Sequence, residues 1–124
     1  MVREDGTVTV SAAHADAFYR EALASQLVWA IRDQGGFPAP EGADGRAMPF
    51  WSLKSRAERI LMSAPAYSSF AIVAIPLAEW RSNWLPGLER DGIRAGLNWS
   101  GAQATGFDVE PNAAEHALAA RETL

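Results

Sequence analysis

Phe70-Ala71-Ile72-Val73-Ala74-Ile75 is the longest unbroken apolar run in the chain, and Pro76 closes it. Six residues, three of them β-branched, with no polar alternation are too few for a buried helix. The run reads as a central strand covered on both faces. The rest of the chain is then expected to pack around it.

At 124 residues the chain is read as one domain over 1–124, large enough to bury a core without staples. Its 48% hydrophobic and 21% charged residues fit a folded globular domain. A formal net charge of -4 argues against nucleic acid as a partner, because neutralising phosphates needs a basic surface. No apolar stretch approaches the roughly 18 residues of a membrane-spanning helix. The opening MVREDGTVTV has acidic residues and no apolar leader core, so a cytoplasmic, soluble protein is expected. The absence of cysteine removes disulfides, thiolate nucleophiles and zinc-thiolate sites.

From the start, Met1 to Thr9 shows little periodicity and reads as a fraying, flexible N-terminus. Thr9 or Ser11 is placed to cap a helix from about Ala12 to Ala24. Ala15, Phe18, Tyr19 and Ala22 form its buried face, with Asp16, Arg20 and Glu21 toward water. Leu27 to Ile31 reads as a strand entering a turn at Gly35-Gly36. Phe37-Pro38-Ala39-Pro40 is at most an edge strand, and Glu41 to Arg46 a loop.

Ala47 to Trp51 is a brief extended piece, followed by Ser52 as N-cap of a helix from Leu53 to about Met62. Leu53, Ala57, Ile60 and Leu61 mark its stripe, and Ser55 with Glu58 has capping-box spacing. Leu77, Trp80 and Trp84 define a short third helix ended by Pro86-Gly87. After a turn at Asp91-Gly92, Ile93, Ala95, Leu97 and Trp99 alternate with polar or small residues, as in a half-buried strand. Phe107 to Val109 is a last hairpin strand. Pro111 then opens a helix to about Arg121 with Ala113, Ala117 and Ala120 on its slim face.

VWAI near residue 28, MPFWS at Met48 to Ser52, IPLAEWRSNWLPGL at Ile75 to Leu88 and DGIRAGLNW at Asp91 to Trp99 together resemble the bacterial family called domain of unknown function 2750. The resemblance spans about Phe18 to Leu118. It implies a small single-domain α+β protein, and it supplies no activity or catalytic residue to carry over.

The residues themselves point to no enzyme. His14 and His116, the two histidines, lie near opposite ends on polar helix sides, so no metal is expected. Asp108 and Glu110 share one strand face, a geometry open to a carboxylate pair but read as a solvated edge before a helix N-terminus. No phosphate-loop, dinucleotide, zincin or serine-hydrolase motif is present. Among five tryptophans, Trp80, Trp84 and Trp99 fall on expected core positions; Trp51, between an extended piece and a helix cap, is also read as core, with a side chain projecting into a site as the alternative. Arg46, Lys54, Arg56 and Arg59 make residues 46–60 net positive.

The expected architecture is a single α+β domain. It has a mostly antiparallel sheet of about five strands, with about four helices packed largely on one face. The expected function is a non-enzymatic protein-interaction module, inhibitor-like or immunity-like, docking a protein partner at Trp51, Ser52, Lys54, Arg56 and Arg59. The alternative is a small-molecule or anion-binding domain that also uses Asn98 and Trp99. No cofactor is implied.

Overall fold

The longest apolar run is not the centre of the sheet. In the computed structural model, which describes residues 10–122, that run forms β4 (Ala71–Pro76), paired on one side only, with β1 (Leu27–Arg32), antiparallel. Ala71 and Ala74 are exposed and only Ile75 is fully buried. The expectation of a strand covered on both faces is corrected. Pro76, the last strand residue, was the signal, since proline within a sheet keeps to edges.

The central strand is instead β5 (Arg94–Ser100), in which Ala95 to Trp99 are all buried. It lies between β3 (Gly45–Phe50), to which it is parallel, and β6 (Thr105–Val109), antiparallel. The stretch expected as a loop at 41–46 carries a hairpin, β2 (Glu41–Gly42) against the start of β3. Residues 37–40 form no strand. Pro49 is tolerated inside β3 for a geometric reason. Ala47 donates to Pro40 O (3.2 Å) and Trp51 to Trp29 O (2.8 Å), both away from β5, so by period two the nitrogen of Pro49 also faces the gap that the short β2 leaves.

The two sheets meet where Trp29 N–H donates to Trp51 O at 2.7 Å and Trp51 N–H returns to Trp29 O. Among the described residues six strands form two sheets, mostly antiparallel with one parallel pair, and this bridge joins them. Helix α1 (Val10–Ser25), α3 (residues 77–91) and α4 (Pro111–Glu122) cover one face around Phe18, Phe50, Trp80, Leu97 and Leu118. Helix α2 (Lys54–Ser63) covers the other with Ile31, Trp51, Ile60 and Trp99. The described residues form a single α+β domain of four helices.

Helix α3 runs through 77–91 without stopping at Pro86-Gly87. Its middle, Trp80–Trp84, is π-helical, with Leu85 N–H bonded to Trp80 O. That wider turn restarts the α-ladder just before Pro86, so the missing N–H falls in a first turn where it has no intrahelical bond to lose. Termination waits for Gly92, whose φ of 69° caps the helix in the left-handed region. The buried face of α4 is Pro111, Ala114 and Leu118, not the face carrying Ala113 and Ala120. Leu118 has more apolar area to bury than an alanine, and it sets the rotation. Residues 1–9, with the expected fraying and the cap at Thr9, lie outside the described residues. Ser11 falls inside α1.

Candidate functional site

Ser52 was expected to cap α2. The capping position is occupied by Leu53, extended at φ -134°, ψ 143°, with no side-chain cap bond. Likewise Ser55 lies inside the helix and forms no capping box. Ser52 is 0% exposed and its hydroxyl donates instead to Glu21 Oε1 at 2.6 Å. A hydroxyl has one proton, so the 3.3 Å approach of Ser52 Oγ to Asn98 Oδ1 is secondary. Asn98 Nδ2 donates to Ser52 Oγ at 3.0 Å, and Asn98 Oδ1 accepts the Ser52 N–H at 3.0 Å. Arg56 closes the set with a two-pronged contact on Glu21, Nε at 2.9 Å and Nη2 at 2.8 Å. Glu21 was read as solvent-facing. Its partners lie 31 and 35 positions away, beyond the reach of helix periodicity.

This cluster resembles a serine beside a carboxylate base, but its electrostatics oppose that role. Hydrogen bonding from Arg56 holds the Glu21 carboxyl below its ordinary value, outweighing the burial that pushes it up, with Ser52 adding to the lowering. A carboxylate stabilised in this way is a weak base, and a fully buried hydroxyl has no substrate to meet. The cluster ties α1, the entry of α2 and β5 together.

Asn98 also turns β5. It adopts φ 52°, and the pairing of β5 with β6 shifts register between Leu97 and Ser100. Asparagine tolerates this region better than most residues. The resulting bulge sends Trp99 to the α2 face while Ala95 and Leu97 stay on the other. The simple alternation expected for Ile93, Ala95, Leu97 and Trp99 is corrected at this point.

Trp51 does not project. It is 0% exposed, and its Nε1 donates to Trp99 O at 2.8 Å. Trp80 is equally buried, packed on Phe18 and Phe50, with its Nε1 lacking a partner among the described residues. Of the cations, Arg46 Nε donates to Ala39 O at 3.0 Å. Lys54 and Arg59 are exposed and make no ion pair among the described residues. Arg56 pairs with Glu21 of α1. Asp108 and Glu110 are not paired with each other: Asp108 accepts the Trp99 indole N–H at 2.8 Å, and Glu110 accepts Arg94 Nε at 2.9 Å. Among the described residues no group of three His, Asp or Glu is placed to hold a metal, and no helix is long and apolar enough to cross a membrane.

The re-aimed Trp99 forms the floor of a groove of about 380 Å³. One wall is the β2–β3 hairpin at Glu41, Gly42 and Gly45. Ala64, Ala66 and Tyr67 line it as well, with the loop Ala102 to Ala104 and the β6 residues Thr105, Gly106 and Asp108. Tyr67 is held edge-on against Phe70 at 5.2 Å. Two glycines let the indole lie flat: a Cβ on Gly96 would collide with the Trp99 ring, and one on Gly106 would stand 2.8 Å from Trp99 Cδ1. Both charged residues on the lining, Glu41 and Asp108, are acidic.

The fold and groove together define a small α+β domain built around an aromatic-floored, acid-lined cleft. The sequence model of a family described as "Protein of unknown function (DUF2750)" matches residues 15–118, and the chain belongs to that family. No curated protein and no solved structure matches the chain.

Proposed function

We propose that the chain is a non-enzymatic binding domain for a small neutral or cationic molecule that carries a flat apolar ring and a hydrogen-bond donor. The observation that carries this reading is the groove over Trp99. Its volume of about 380 Å³ falls in the usual range of ligand sites, roughly 300–1,000 Å³. The aromatic floor and the alanine and glycine walls suit a flat ring. With Glu41 and Asp108 on the lining, an anion is disfavoured and a donor group or positive charge is favoured.

Ala66→Trp tests the site. Ala66 is exposed on the rim, so the larger ring fills the groove without entering the core. Fragment binding followed by ligand-detected NMR should be lost in this variant at unchanged melting temperature. Undiminished binding would put the ligand elsewhere.

A second reading rests on Lys54 and Arg59, exposed and without ion-pair partners among the described residues. In it, α2 docks an acidic protein partner with an affinity that falls as salt rises. Reversing both charges should abolish capture of that partner and leave folding unchanged, since exposed charges contribute about 0–1 kcal/mol. Capture that survives the reversal would remove this reading.

A further inference from the structure

We propose that the outer edge of β4 pairs with the same edge of a second copy of this chain, antiparallel about Val73, to give a two-fold dimer. Trp29 spends both its N–H and its C=O on Trp51, at 2.7 and 2.8 Å, on the side of β1 away from β4. Trp29 lies opposite Ala74 in the β1–β4 register. In an antiparallel pair the two residues of such a position both direct their backbone groups outward. Ala74 therefore offers a donor and an acceptor to the open edge, and Ile72, two residues back, does the same. Neither residue makes a backbone bond outside its strand pair among the described residues. Pro76, the next outward position, has no donor and marks where the pairing surface ends.

Two observations select a second copy as the occupant. The open groups are self-complementary: Ile72 opposite Ala74 of the partner subunit, repeated by the two-fold axis, pairs two donors and two acceptors from each chain. Charge permits it. The chain carries a net charge of -4, so copies repel one another, yet residues 68–78 contain no charged side chain. Exposed strand edges are normally blunted by lysine or an inward charge, and this one is not.

The test is sedimentation velocity across a concentration series, with amide hydrogen exchange measured in parallel. The mass should rise from one chain to two, and exchange at the Ile72 and Ala74 amides should slow in step. The Val73 amide, bonded to β1, should be protected throughout. Ala74→Lys, at an exposed position, should stay monomeric with an unchanged circular dichroism spectrum. A monomer at every concentration would overturn the proposal. So would a dimer that Ala74→Lys leaves intact, or protection of Ile72 and Ala74 that is independent of concentration, as an occupant from within the same chain would give.

Discussion

Ser52 Oγ donates a 2.6 Å hydrogen bond to Glu21 Oε1, joining the entry of α2 to the middle of α1 while Arg56 grips the same carboxylate. The pair decides how the basic segment behaves, because its central arginine is committed to holding the fold.

Arg56→Met, which keeps the aliphatic stem, should therefore lower stability by about 1–3 kcal/mol, the usual cost of stranding a partly buried partner. Charge reversal at Arg56 should cost more. The pH dependence has a definite sign. The Glu21 carboxyl is lowered in the folded state from its ordinary value of 4.5, chiefly by Arg56, so its contribution is present above that value and is lost as pH falls through the folded value. Glu21→Gln should flatten the acid limb of the stability curve between pH 4.5 and lower values. An acid limb identical to wild type in chemical denaturation would contradict the assignment.

Aspartate substitutions separate the edge strand from the central one. In dilute solution Ala74→Asp should melt close to wild type, because Ala74 is exposed. Leu97→Asp should fail to fold, since Leu97 is 0% exposed in β5 and an unpaired buried carboxylate costs several kcal/mol against a total of roughly 5–15. Equal melts for the two variants would refute the strand order.

Gly96→Ala should cost about 1–3 kcal/mol and shift the Trp99 indole N–H resonance, because the added methyl meets the ring. Gly87→Ala is the control. There the new Cβ would stand 3.5 Å from Arg90 Nη2, an ordinary contact in a helix, and the gain should be about 0.5–1 kcal/mol. A Gly96→Ala protein as stable as wild type would mean that the indole does not lie flat on the sheet.

Local chemistry was legible where one element settles it. The buried face of α1, the turn at Asp91-Gly92 and the helix opening at Pro111 follow from periodicity and from proline and glycine geometry, and the family resemblance pointed to the same α+β class. Strand order was not legible, because an uncharged run such as Phe70 to Ile75 looks alike at the centre and at an edge. Only Pro76 marked the difference. The face of Trp99 was hidden by the left-handed turn at Asn98, which breaks period two without changing composition. Of the residues expected at a site, Ser52 and Arg56 meet on Glu21, which no local pattern singles out, and Asn98 joins them only through Ser52. Trp51 takes the core position and not the site alternative, and its indole reaches across to the carbonyl of Trp99. The groove itself is assembled from five separate segments and has no sequence signature.

The Trp99 indole N–H provides the most direct test of the binding groove, since it sits on the floor and donates to Asp108. In a heteronuclear NMR titration with a library of neutral, cationic and anionic aromatic fragments, neutral and cationic members should move this resonance together with the Gly106 amide, saturably. The Trp80 indole, buried in the opposite layer, should stay still. A library that leaves Trp99 and Gly106 unmoved, or in which only the anions move them, would contradict the account.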